Sequence, residues 1–217
     1  MPERHNVRVN VAAMVVDLVE RYRGGPAPLV AVGDPVVRRI AEPVAGQVDS
    51  ELLRELSEIM FATMHAAPGV GVAAPQIGIP LRLAVLGDAA RGIAPEVAAA
   101  RGRVELAEFT IVNPSYAADG PDVGFYEGCL SMPGYQAVVR RSESVLATFT
   151  DLDGREHVER FSGWPARIFQ HETDHLAGII YIDKAETRSL STNAALGERW
   201  SQPTPDAAAD ALGFDLR

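Results

Sequence analysis

Cysteine is close to absent from this chain: its 217 residues include one, Cys129, so no intrachain disulfide can form. That scarcity fits a reducing, cytoplasmic setting. Positive charge is also short, with 20 Lys and Arg against 29 Asp and Glu and a formal net charge of -9. Stable nucleic-acid binding needs clustered basic residues and is therefore not expected. Long apolar runs are missing too. None reaches the ~18 residues of a membrane span. The stretch VAAMVVDLVE is interrupted by Asp17 and has neither a basic leader nor a cleavage site. Neither a membrane span nor a signal peptide is expected.

What remains is an ordinary soluble composition, 47% hydrophobic and 23% charged, and enough chain for one domain with a sizeable core. Within residues 9–23, Val11, Ala12, Val15, Val16, Val19 and Tyr22 recur at helical spacing, and Gly24 and Gly25 end the helix. A second helix is expected from Asp49 to Ala67, capped by Asp49 or Ser50, with Leu52, Leu53, Leu56, Ile59, Met60 and Met64 on its apolar face. Strands are expected over 81–87, 108–116, 144–150 and 157–161, the last two joined by a hairpin turn at DLDG. Residues 88–107, rich in Ala, Gly and Arg, read as a loop or short helix. From Thr187 the chain turns polar and then Ala-rich, which reads as a loosely attached tail. The implied class is α+β: a single domain of mainly antiparallel strands around a buried metal-binding helix, with an extra N-terminal helix and a C-terminal tail.

The metal in that reading comes from FQHETDHLAG, residues 169–178. A helix from Pro165 to Gly178 puts His171 and His175 on one face, where both can point at one atom. Glu172 lies about 100° of helical rotation from His171, so it can sit beside a metal without ligating it. Each histidine alone reads as a surface or hydrogen-bonded core residue; the pair with a Glu between reads as a metal site. A catalytic divalent metal usually keeps three protein ligands and one open position. Asp183 and Glu186 downstream, and His157 upstream, sit in no ligand-supplying motif. The remaining candidate is Cys129 in YEGCLSMPG, placed before an extended run where a turn can present its side chain.

Three stretches together, GVGVAAPQIG (69–78), EGCLS (127–131) and QHETDHLAG (170–178), resemble the peptide deformylase family in order and spacing. The resemblance runs from about Leu29 to Asp183. It divides the chain into an N-terminal helical extension (1–28), a metallohydrolase domain (29–186) and a C-terminal extension (187–217). It implies hydrolysis of the formyl group from N-formylmethionyl nascent peptides, with formate released. The implied metal is Fe2+, which Zn2+, Ni2+ or Co2+ can replace, held by Cys129, His171 and His175. Metal-bound water would be the nucleophile and Glu172 the general base and acid. The resemblance assigns the oxyanion donors to the Gln76 amide and the backbone N–H of Leu130.

Gly69 and Gly71 would let backbone approach the substrate closely or adopt positive φ. Ile168 and Leu130 are candidates for the wall of the methionine pocket. Glu127 and Asp174 are candidates to hold a ligand histidine by its other nitrogen, or to pair with Arg140, Arg141 or Arg167. Two positions depart from the family pattern. Thr173 replaces an apolar residue, and Arg167 replaces an aliphatic one that lines the pocket, where it could narrow the pocket or pair with Glu127. Two rivals remain: a zinc peptidase using the same helix, and a non-enzymatic module braced by a structural metal. The first needs a third His or Glu ligand in a suitable motif and the second needs a fourth protein ligand. Ribosome contact, if any, is expected to be transient for so acidic a chain.

Overall fold

The computed structural model describes residues 10–216. Helix α1 (Val11–Tyr22) begins where the Asn10 side chain accepts a hydrogen bond from the backbone N–H of Ala13. The expected start at residue 9 lies outside the described residues. Helix α2 (Ser50–Ala66) is capped by Asp49, whose side chain accepts from the Leu52 N–H at 2.9 Å. Val15 and Val19 of α1 meet Leu56 and Met60 of α2 in one core cluster that extends to Val72, Leu83 and Val85. Each such side chain, fully buried, contributes roughly 1.5–3 kcal/mol before the entropic cost of ordering it.

Strands β1 (Gly71–Ala73) and β2 (Leu83–Asp88) precede a short helix α3 (Pro95–Arg101) and the long β3 (Leu106–Ala118). Then follow β4 (Asp122–Cys129), β5 (Met132–Ser142), β6 (Ser144–Thr150), β7 (Glu156–Ser162) and helix α4 (Gly163–Leu176). The five-stranded sheet runs β1-β2-β3-β6-β7, and its pairs are antiparallel. A second sheet pairs β4 with β5 from Asp122↔Ser142 to Gly128↔Gln136, and its register breaks between Gly128 and Cys129. The sequence reading omitted β4 and gave β5 only as an extended run. Two glycines and the buried Glu127 spoil the alternation in DVGFYEGC that would have marked β4. The expected antiparallel α+β architecture is the one observed.

Helix α4 lies against the large sheet through Ala166, Phe169 and Leu176, which join Leu86, Ile111, Val145, Ala147 and Phe149. It ends at Leu176, and two residues on, at Gly178, φ is 74° and an added Cβ would lie 2.8 Å from the Arg38 carbonyl carbon. Among the described residues no helix is long and apolar enough to cross a membrane.

The segment after Thr187 is not loose. Strand β8 (Ser191–Thr192) pairs with β5, and helices α5 (Asn193–Arg199) and α6 (Asp206–Leu212) follow. Ala208 is buried against Tyr126 and Val138, with Leu196, Trp200, Leu212, Phe214 and Leu216 packed around them. Those apolar residues are too widely spaced for a periodic signal; they converge only once the turns between them form. Deleting residues 206–217 should cost roughly 1–3 kcal/mol, lowering the melting temperature by about 3–10 °C. Calorimetry giving an unchanged midpoint would restore the loose-tail reading.

Candidate active site

Cys129 closes β4 immediately before the turn into β5, while His171 and His175 stand one turn apart on α4. One ligand atom from each of the three lies within 4.8 Å of the others, a spacing that can hold a metal ion. Cys129 Sγ is 3.3 Å from His175 Nε2, and the two imidazole rings meet edge to face. The donor set fits a divalent ion. His171 donates its Nδ1–H to Glu127 at 3.0 Å, which leaves Nε2 for a ligand. Burial, and then the charge of His171, lowers the pKa of His175 and keeps it in the neutral form a ligand requires. Opposing effects act on His171: burial lowers its pKa, but hydrogen bonds with Cys129 and Glu127 raise it to about 10, so an ion bound there would displace the Nε2 proton.

Glu127 settles the choice that the sequence left open, because it meets both His171 and two arginines. Arg141 donates to it through Nε and Nη2 at 2.7 and 3.0 Å, and Arg167 through Nη1 at 2.6 Å. Burial alone would raise the Glu127 pKa, yet Arg141, His171 and Arg167 hold it well below the usual carboxylate range. Asp174 does not reach a ligand histidine in this arrangement. It accepts from Arg141 at 2.7 Å and from Lys184 at 2.8 Å, and tethers Tyr116. Arg167 thus pairs with Glu127, and it also lines the cleft. The Thr173 hydroxyl is buried without a hydrogen-bond partner, and nothing in the structure explains its polarity.

Glu172 is 4% exposed and its Oε2 has no hydrogen-bond partner. Burial is the main reason that its pKa is pushed up to about 7. Across from it, Gln76 accepts the Ala73 N–H at 2.9 Å through Oε1, which turns its NH2 toward Ser131 Oγ at 3.4 Å and Cys129 Sγ at 3.6 Å. Leu130 follows Cys129 in the β4–β5 turn. A cleft of about 700 Å³ is lined by Gly69, Gly71, Gln76, Glu127, Cys129, Leu130, Ile168, His171 and Glu172, which brings together all the predicted residues except the deeply buried His175. The rejected ligand candidates are engaged elsewhere: His157 with Asp151, Asp183 with Arg38, and Glu186 with Arg140.

Sequence reasoning missed the cleft residues Arg101, Trp164 and Asn193, and the fully buried Ser131 that faces Gln76. Ser131 stood inside the EGCLS motif and was the one with a signal.

The profile of the family described as Polypeptide deformylase matches residues 26–190. Peptide deformylase 3 of Streptomyces avermitilis is 58% identical over 194 residues, covering 89% of this chain and 86% of that one. The chain belongs to the peptide deformylase family. Another deformylase, peptide deformylase 1 of Streptomyces coelicolor, is 55% identical over 210 residues, covering 96% of this chain and 95% of that one. Among solved deformylases, the class I type b enzyme of Acinetobacter baumannii superposes with a TM-score of 0.66 at 34% identity, over 74% of this chain and 99% of that one. A Synechococcus elongatus deformylase in complex with actinonin gives a TM-score of 0.62 at 31% identity, over 88% of this chain and 87% of that one.

Within this deformylase-family site the need for glycine at position 71 is steric. A Cβ on Gly71 would fall 2.6 Å from the carboxyl carbon of Glu172, and one on Gly69 would fall 2.9 Å from Leu130 Cδ1. Close approach, not positive φ, is what these two glycines supply. Gly71→Ala is therefore expected to push the Glu172 carboxylate aside and lower kcat about 10–100-fold, the scale of a cleft side chain misplaced by about an ångström. Thermal stability should change by less than a few degrees. Unaltered kcat would show that the carboxylate has room to spare.

Proposed function

We propose that this chain removes the formyl group from the N-terminal formylmethionine of newly synthesised polypeptides and releases formate. The observation that carries this reading is a buried carboxylate without a hydrogen-bond partner, Glu172, beside the Cys129, His171 and His175 cluster at the floor of a cleft. Residues 29–186 form the catalytic unit, with 1–28 and 187–217 as extensions to it. The ion is Fe2+, and Zn2+, Ni2+ or Co2+ can take the same thiolate and imidazole donors. When bound there, a divalent cation lowers the pKa of water and polarises the formyl carbonyl.

The rest of the chemistry belongs to side chains and backbone. Glu172 takes the proton from the attacking water and delivers it to the departing amine. A carboxylate whose pKa is pushed to about 7 exchanges protons readily in both directions near neutral pH. The Gln76 NH2 and the Leu130 backbone N–H act as donors to the developing oxyanion. Anchoring Gln76 through its carbonyl keeps the amide nitrogen on the Cys129 side, where its long contacts to Ser131 and Cys129 can give way to an oxyanion. The side chain of the substrate methionine runs along α4, past Leu130 and Ile168, between walls that Gly69 and Gly71 keep close.

Such a reaction belongs in the cytoplasm, at nascent chains, and a net charge of -9 favours brief contact with the ribosome over stable binding. An anaerobic assay of formyl-Met-Ala-Ser should yield formate and the free amine, with its internal bonds intact. Cleavage of an internal bond with the formyl group retained would favour the zinc peptidase instead. Because a ferrous ion and its thiolate are both oxidisable, activity of the iron form should decay in air while the nickel form holds. Equal decay of both forms would argue against iron as the sensitive species.

A further inference from the structure

The two oxyanion donors of the proposed reaction stand on different parts of the fold. Gln76 lies in a single helical turn (Ala74–Ile77) that follows β1 of the five-stranded sheet, and Leu130 in the turn between β4 and β5 of the three-stranded one. No strand pairing joins those sheets among the described residues. The spacing of the donors therefore depends on a few particular contacts, and three of them meet at Gln76. Its backbone carbonyl accepts from the Val30 N–H at 2.8 Å, its Oε1 accepts from the Ala73 N–H at 2.9 Å, and its Nε2 donates to Ser131 Oγ at 3.4 Å. Two residues after Val30, the Val32 N–H donates to the Ser131 carbonyl, also at 2.8 Å. Residues 30–32 thus tie the Gln76 turn and the Leu130 turn to one short piece of chain.

Held only at Oε1, the carboxamide of Gln76 could still pivot; a second hold, on Nε2, sets the direction of its N–H bonds. That nitrogen carries two of them. One goes to Ser131, and the other lies on the side of Cys129, whose Sγ is 3.6 Å away. An oxyanion needs only one N–H, and displacing the weak sulfur contact leaves the hold by Ser131 in place. Ser131 is fully buried, so it cannot touch a substrate in the cleft and can act on the reaction only through a neighbour. Gln76 is that neighbour: it is buried around the contact with Ser131 and yet lines the cleft.

We infer that Ser131 is a positioning residue for deformylation: its hydroxyl holds the Gln76 carboxamide with one N–H aimed at the place of the oxyanion. The bond from Val32 to the Ser131 carbonyl keeps that hold in step with Leu130, the next residue back. This rests on the deformylase reading of the cleft and adds a residue to its machinery. A donor aimed in advance acts where charge develops, so the effect of Ser131 falls on kcat and spares KM.

The test is a double-mutant cycle on the metal-loaded enzyme: wild type, Ser131→Ala, Gln76→Leu and the two combined, assayed for formate release from a formyl-Met dipeptide. Ser131→Ala should lower kcat about 3–10-fold, the scale of one side-chain hydrogen bond, with KM within about twofold and metal content unchanged. In the Gln76→Leu background the same change should cost less than about twofold, because the group it positions is gone. A nitrogen–proton correlation spectrum of the zinc-loaded protein gives a readout independent of turnover. Ser131→Ala should shift the side-chain amide resonances of Gln76 and leave in place those of Gln170, which donates to the Ser142 and Ala166 carbonyls. Unchanged kcat in Ser131→Ala overturns the inference. So does an equal loss in both backgrounds, a loss of metal, or a Gln76 resonance that stays where it was. A wild type that releases no formate with its metal in place is a different failure, which removes the deformylase reading while the Gln76 resonances still report on the hold.

Discussion

Glu172→Gln should lower formate release from a formyl-Met dipeptide by about 100–10,000-fold, the range for losing a positioned general base, at unchanged metal content. The substitution keeps the shape of the side chain and removes only its ability to carry a proton. Glu172 is buried, its Oε2 has no hydrogen-bond partner, and its nearest structural obligation is to leave room for Gly71. Nothing in its surroundings requires the charge for folding. Metal analysis of the variant is the deciding control. Activity and metal lost together would make Glu172 a support for the ligands; activity retained with metal bound would leave the proton transfer to another group.

The second large effect is structural and falls on Arg141. Its side chain is 2% exposed and bridges the two buried carboxylates, Glu127 in a two-pronged contact and Asp174 in a single one. Arg141→Met fills much the same volume but removes the cation the two acids share, leaving Arg167 and His171 on Glu127 and Lys184 on Asp174. Removing one partner of a buried ionic cluster costs roughly 3–5 kcal/mol, so the melting temperature should drop by about 10 °C or more. The pH dependence follows from Glu127. Its pKa is held well below the ordinary 4.5, so its stabilising contribution is complete above that pH and is lost as the pH falls through the folded-state value. Without Arg141 the folded-state value rises, and acid unfolding should begin at higher pH. Calorimetry at neutral pH and an acid titration by circular dichroism would check both. A midpoint within two degrees of wild type would mean that Arg167 and Lys184 suffice to hold the cluster.

The site was legible in the sequence where its chemistry is local. His171, Glu172 and His175 announce themselves by spacing on one helix, and Cys129 stood out because the chain has no other thiol. What joins them is not local. Glu127 and Arg141 are 14 residues apart and Arg141 and Asp174 are 33 apart, and which arginine reaches which acid depends on strand register and helix placement. The same limit hid β1, three residues long and held in place by its pairing with β2. It also hid the packing of the C-terminal helices, whose apolar residues are separated by turns. Arg101 was illegible for a further reason. Its Ala- and Gly-rich surroundings carry no burial pattern, and its place on the cleft wall depends on α4, which brings Trp164 alongside it.

The most direct test of the whole account is to measure metal content and formate release on the same anaerobically purified protein, before and after chelation. The account predicts one divalent ion per chain, rapid formate release from a formyl-Met dipeptide, loss of both on chelation, and return of both when the ion is restored. Formate release that persists at full rate without metal would contradict it. So would a protein with its metal in place that releases none.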